Sequence, residues 1–393
     1  MTLPLSVIMP IFNGEKFLPE AIDSILRQTF HDFEFLIDTT GSNDATINII
    51  ENYKKKDKRI RHEKNGKSQF LSAKVNFLTN LARGKYIARM DGDDISLPER
   101  FQKQIDYLNS HPEVAILGTN YLSIDYQGKP KPSPPSNRPA TIEDAKKQFD
   151  DTICPIHHPT MMIRSDVLKN IGGYREEFFV EDLDLYTRLY RANYIFNNLS
   201  DVLFHYRIYI GSASQHPATA HLVVLHRTIL WLAHQMTLRG QPDPLANITK
   251  QDLNFSIIKK ISRDAKQAIF TYLNMLNTVV YNIIWSINQK IPDIEKKVFL
   301  QKDAAEIIQH IINLCQNDQM RQMALNNLST LQTNFADMPA YIFDLFYQTY
   351  LAYPHLSKKF PDEKKQKIFI AMTKLGLSQK ITNLKEKWGM TTA

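Results

Sequence analysis

A chain of 393 residues, 43% hydrophobic and 23% charged, is globular in composition and long enough for two domains, which argues against disorder or collagen-like repeats. Its two cysteines, Cys154 and Cys315, lie far apart and outside any CxxC or Cys/His spacing, so neither a disulfide framework nor a zinc ribbon is expected. The net charge of +7 is uneven: residues 216–393 hold 21 Lys+Arg against 13 Asp+Glu, whereas residues 1–215 hold 27 against 28.

That basic back half lacks the interleaved aromatics of a nucleic-acid module, so no nucleic acid is expected. An anionic membrane face or a phosphate-bearing acceptor fits the charge instead. No charged-then-apolar leader follows Met1, and the expected location is a reducing cytosol, with peripheral contact at a membrane. The longest uncharged stretch, 267–289, is interrupted by Asn274, Asn277, Asn282 and Asn288. Its apolar residues recur every three or four positions, the stripe of a packing helix rather than a span.

In chain order, Leu5 to Ile11 is a short apolar run of buried-strand type, closed by Asn13-Gly14. A helical face of Phe17, Ala21, Ile22, Ile25 and Leu26 follows, then a strand over Phe33 to Ile37. Helices are expected around Ile47, Ile50 and Tyr53, over about 70–82, and after Pro98. Strands are expected at Tyr86 to Met90 and Val114 to Leu117. Repeated β-α units of this length predict an α/β fold with a mostly parallel sheet. Five prolines in residues 129–139 mark an exposed loop. From about residue 216 helical spacing takes over, at 221–236, 257–289, 304–314 and 341–350. The expected organisation is an α/β domain over 1–215 and a basic α-helical domain over 216–393.

Chemistry concentrates in two acidic clusters. Asp91-Gly92-Asp93-Asp94 follows the strand ending at Met90, and in an open α/β sheet ligands bind beyond the carboxyl ends of strands. Three carboxylates within four residues repel one another unless a cation or hydrogen-bond donors offset them, and Mg²⁺ or Mn²⁺ suits such oxygen ligands. A polar turn capping the next helix is the plain alternative. Glu181-Asp182-Leu183-Asp184 opens a helix, where carboxylates are favoured by the dipole; one of them could instead serve as a base toward an acceptor hydroxyl. His157 and His158, before a proline, read as structural, and Arg89 as one half of an ion pair.

Taken in order, Ser6 to Gly14, Ala82 to Asp94, His158-Pro159, Gly172-Gly173-Tyr174, Glu181-Asp182 and Tyr206-Arg207 resemble the family-2 inverting glycosyltransferases of the GT-A fold, over about residues 4–215. The resemblance implies a nucleotide-sugar-binding domain and transfer of a sugar, hexosyltransferase fashion, from a nucleotide-diphosphate donor, a UDP-sugar. The acceptor would be a hydroxyl of a saccharide, lipid-linked or protein molecule. It implies Asp93 as principal metal ligand with Asp91 and Asp94 beside it, Mn²⁺ or Mg²⁺ as the only cofactor, and Asp182 as general base. Pro10, Phe12, Asp38 and Asp91 are implied at the nucleotide.

Departures from the family pattern are specific. Two aspartates expected before Gly41-Ser42 are replaced by Thr39-Thr40, with Asp38 one place earlier, where strand alternation would turn it to the other face. Residues 65–70 differ from the family's glycine-containing loop. A histidine expected after Tyr206-Arg207 is replaced by Tyr209, with His205 the nearest alternative. These departures keep open a second expectation, a weakened relative that binds nucleotide or carbohydrate and acts through its helical domain. A nucleotidyltransferase would share the acidic site but leave Glu181-Asp182 without a role.

Overall fold

The structure, a computed structural model, describes residues 3–64, 70–152, 154–209 and 217–253, with isolated positions 257, 261 and 382. By its contacts the chain divides into two units, Met1–Tyr209 with Ile229–Asn254, and Ile210–Thr228 with Phe255–Ala393. The site lies in the first.

Eight strands form one sheet: β1 (Leu5–Pro10), β2 (Phe33–Asp38), β3 (Ile60–Glu63), β4 (Tyr86–Arg89), β5 (Ile95–Ser96), β6 (Val114–Ile124), β7 (Met162–Arg164) and β8 (Ile195–Arg207), in the order β3-β2-β1-β4-β7-β6-β8-β5. β3, β2, β1 and β4 run parallel, as do β6 and β8. β7 is antiparallel to both its neighbours, and β5 is antiparallel to β8. The sheet is therefore mixed with a parallel majority, as the β-α repetition predicts.

Every residue of β1 and β2 is buried, the consequence of helices on both faces, which explains their unbroken apolar runs. On one face α1 (Leu18–Leu26) lays down Leu18, Ala21, Ile22 and Ile25, each fully buried, against Val7, Met9 and Phe35. Each such Leu or Ile contributes about 1.5 to 3 kcal/mol by leaving water. α2 (Thr46–Lys56) adds Ile50 to the same core and places Lys54, Lys55 and Lys56 in its last turn, where the dipole favours cations. α3 (Leu71–Leu81) packs on β1 and β2. A side chain at Gly84 would bring Cβ within 2.4 Å of the Ser6 backbone nitrogen, so only glycine lets the chain enter β4 alongside β1.

α4 (Arg100–Ser110) follows the predicted proline and packs Phe101 edge-on to Phe33 at 5.8 Å. α5 (Ile142–Thr152), α6 (Ser165–Asn170) and α7 (Glu181–Arg191) complete the α/β unit. α8 (Pro217–Leu238) contributes His234 and Gln235, which sit on Asp150 of α5. The helical stretches expected beyond residue 256, including the uncharged run 267–289, lie outside the described residues. Among the described residues no helix is long and apolar enough to cross a membrane.

Candidate functional site

The carboxyl ends of β1, β2 and β4 meet, where the Ile11 amide donates to the Asp38 carbonyl at 2.9 Å and the Met90 amide to Ile8 at 3.1 Å. The turn after β1 is laced to the turn after β2. Asn13, at φ 49°, accepts from the Asn43 amide through its Oδ1 at 2.9 Å, and the Gly14 amide donates to Thr46 Oγ1 at 2.9 Å.

Asp91, Asp93 and Asp94 have three different environments. Asp91 faces the buried Arg89 guanidinium, Oδ1 to Nη1 at 2.7 Å. Asp94 is fully buried; its Oδ1 accepts from the Arg207 amide at 2.8 Å, and its Oδ2 has no hydrogen-bond partner. Asp93 is half-buried and accepts from the Tyr209 phenol. Burial first, and then its acidic neighbours, push Asp94 well above the usual carboxylate range, and the same causes push Asp93 up to about 6. The turn is thus short of positive charge although Arg89, Arg100 and Arg207 support it from beneath, Arg100 through the Arg89 carbonyl at 2.9 Å.

An orphaned carboxylate oxygen beside a half-open carboxylate suits a hard divalent cation. Among the described residues no three Asp, Glu, His or Cys side chains converge on one point. A cation here would therefore take one or two protein carboxylates and complete its shell with water and diphosphate oxygens, the usual habit of Mg²⁺. Ile11 closes the floor: a Cβ on Gly92 would fall 2.2 Å from its Cδ1.

At the carboxyl ends of β1 and β2, Pro10 is buried in register with Asp38, and Phe12 presents its ring with 53% exposure. Asp38 is fully buried, and its Oδ1 accepts from the amide and hydroxyl of Thr40 at 2.8 and 2.6 Å. Lys74 of α3, only 2% exposed, donates to the Ile11 carbonyl at 2.7 Å, stands 5.7 Å from the Phe12 ring centre and is attracted to Asp38; burial pulls its pKa down. Thr39 turns the other way, with Oγ1 2.8 Å from His62 Nε2, whose Nδ1 lies 2.5 Å from Glu51. Consecutive residues 38 and 39 thus address opposite faces of the sheet, as alternation demands. Lys74 escaped sequence reasoning: its one signal was a lysine among the small and apolar residues of a helix face.

In the second cluster, Asp184 is fully buried and held by Arg175 and by Arg188, the latter at 2.9 Å. Glu181 is buried, 3.6 Å from His158 Nδ1; burial and the charge of Asp182 push its pKa up to about 8. Asp182 is only half-buried and caps locally, accepting from the Leu183 amide at 2.8 Å. Arg89 and Asp91 both act on Glu181 electrostatically, so the start of α7 lies within electrostatic reach of the acidic turn.

His158 also meets the Tyr174 hydroxyl, with 2.8 Å between Nε2 and oxygen, and burial keeps it neutral. His157 is stacked on Tyr121 at 4.2 Å. His205 pairs with Ile95 across β8 and β5, and burial lowers its pKa.

Residues 6–172 match the model of glycosyl transferase family 2. An uncharacterized glycosyltransferase of Methanocaldococcus jannaschii is 36% identical over 212 residues, 53% of this chain and 72% of that protein. The chain belongs to glycosyl transferase family 2. This glycosyltransferase is also 33% identical to the O-antigen biosynthesis glycosyltransferase WbnJ of Escherichia coli, over 54% of its own length and 82% of WbnJ. Among solved structures, residues 1–349 of S. aureus TarS, in complex with UDP-GlcNAc, superpose with a TM-score of 0.50 at 18% identity, covering 82% of this transferase and 87% of that chain. At that identity the likeness speaks for the GT-A fold alone.

Proposed function

We propose that this glycosyltransferase is metal-dependent and inverting, and moves a sugar from a UDP-sugar to a saccharide hydroxyl. The observation that carries this reading is the acidic turn beyond β4, with Asp93 half-open and Asp94 carrying an orphaned oxygen, and a second acidic cluster at the start of α7, where Asp182 is half-buried while Asp184 is held by Arg175 and Arg188.

Asp93 would hold Mn²⁺ or Mg²⁺, with Asp91 and Asp94 supplying negative charge beside it. When bound, the cation supplies Lewis-acid stabilisation of the departing diphosphate. Phe12 offers a face for the base. A carboxylate at Asp38 accepts hydrogen bonds only, and so suits a base with a ring N–H, as uracil has at N3. Asp182 removes the acceptor proton as that oxygen attacks the anomeric carbon opposite the diphosphate, which inverts the configuration. Names of relatives such as the O-antigen enzyme support a saccharide, lipid-linked or otherwise, over a protein acceptor. Peripheral docking on an anionic bilayer would draw on the nine lysines of residues 356–387, which lie outside the described residues.

The deciding experiment screens nucleotide sugars for hydrolysis and thermal stabilisation, with and without Mn²⁺. Stabilisation by one UDP-sugar that requires Mn²⁺ is expected. Equal stabilisation with chelator present would sink the metal-dependent reading.

A further inference from the structure

The last residues of β8 clamp the acidic turn. Pairing of Ile95 with His205 sets this strand end beside residues 91–94. The Arg207 amide donates to Asp94 Oδ1 at 2.8 Å, its Nε to the Asp93 carbonyl at 2.7 Å, and its Nη2 to Glu20 at 2.6 Å. Two residues on, the phenol of Tyr209 donates to the Asp93 carboxylate itself.

That phenol has little freedom. Its ring lies 5.1 Å from Phe17 and 6.1 Å from Tyr126, and those two meet edge to face at 5.4 Å. Cations stack on the rings of this cluster, Lys16 at 3.2 Å from the Tyr126 ring centre and the Arg207 guanidinium at 4.5 Å from that of Phe17. Aromatic edge contacts and cation-π contacts together hold the ring in one position.

We propose that Tyr209 is the positioning residue for the metal carboxylate: its clamped phenol fixes Asp93 in the orientation that receives the cation. This deepens the reading of Asp93 as ligand and rests on it. A carboxylate has about four lone-pair sites, and the phenol uses one, so Asp93 keeps room to ligate. Without the phenol, repulsion from Asp91 and Asp94 would rotate the Asp93 side chain. Loss of such an outer-shell partner typically lowers metal affinity by about 10- to 100-fold.

The test is titration of the full chain with Mn²⁺ alone, followed by electron paramagnetic resonance, for the parent, Tyr209→Phe, Phe17→Leu and Asp93→Ala, each shown folded by circular dichroism. Tyr209→Phe keeps the ring and removes only the hydroxyl. Its Mn²⁺ affinity is expected to fall by about tenfold or more at an unchanged melting temperature, with a smaller fall in Phe17→Leu, which loosens the clamp and keeps the phenol. Unchanged or tighter binding in Tyr209→Phe, with binding lost in Asp93→Ala, overturns the positioning role and leaves Asp93 as ligand. Unchanged binding in Asp93→Ala overturns both.

Discussion

Arg89 and Asp91, two residues apart at the end of β4, are joined at 2.7 Å, and the guanidinium is 1% exposed against 28% for the carboxylate. The pair divides the acidic turn: Asp91 compensates a buried cation, whereas Asp93 and Asp94 are left in excess. Asp91→Asn should therefore lower stability, by about 3 kcal/mol, because it strands a buried guanidinium. Asp93→Asn should do the opposite without metal. The raised pKa of about 6 means the folded state binds a proton that the unfolded state has released, so stability falls as pH rises from about 4 to 6. Asparagine removes that loss. Urea unfolding at pH 8 with chelator should show Asp93→Asn above the parent and Asp91→Asn below it, while Asp93→Asn loses Mn²⁺-dependent donor binding. A destabilised Asp93→Asn would mean that the turn is already neutralised.

Asp182→Asn should leave donor and metal binding in place and lower turnover by about 10²- to 10⁴-fold, the usual share of general-base catalysis. Asp184→Asn should instead unsettle the fold, since it releases Arg175 and Arg188 from a fully buried carboxylate. Turnover close to the parent's in Asp182→Asn would move the base elsewhere.

Glu181 provides a pH signature. With the pKa raised to about 8 from 4.5, its stabilising contribution is fully present below pH 4.5 and is lost as pH climbs through 8. Glu181→Gln should melt higher than the parent at pH 8.5 and flatten the decline between pH 5 and 8. A variant whose melting curve against pH runs parallel to the parent's would place the titration on another group.

Legibility in the sequence followed local signal strength. β1, β2 and the acidic turn were plain because each apolar run of buried-strand type is followed at its carboxyl end by a turn rich in Gly, Asn or Asp. β3 was not, because Ile60-Arg-His-Glu63 is an edge strand whose charges find partners only in the fold, Arg61 with Glu34 at 2.7 Å and with Glu63 at 3.0 Å. β5 and β7 are two and three residues long and exist through their neighbours. β8 shifts register against β6 near Thr119 and Asn120, which breaks the alternation that would have announced a 13-residue strand. Tyr209 stood out as a departure from the family pattern, but its bond to Asp93 spans more than a hundred residues and no local spacing encodes it.

Restoring aspartates at Thr39 and Thr40 should have unequal effects. The Thr40 amide and hydroxyl both donate to Asp38 Oδ1, so Thr40→Asp would replace a hydroxyl donor by a second anion against a buried carboxylate. A cost of about 2 kcal/mol or more is expected from the lost bond and the added repulsion. Thr39→Asp would meet Nε2 of His62, whose Nδ1 already faces Glu51; a second proton on the ring would let Nε2 donate to the new carboxylate, so this change should cost less. Any gain in UDP affinity is therefore expected from Thr39→Asp alone. Thermal melts with calorimetric UDP titration of both variants check this. A Thr40→Asp protein as stable as the parent and tighter for UDP would show that Asp38 is not the group facing the base.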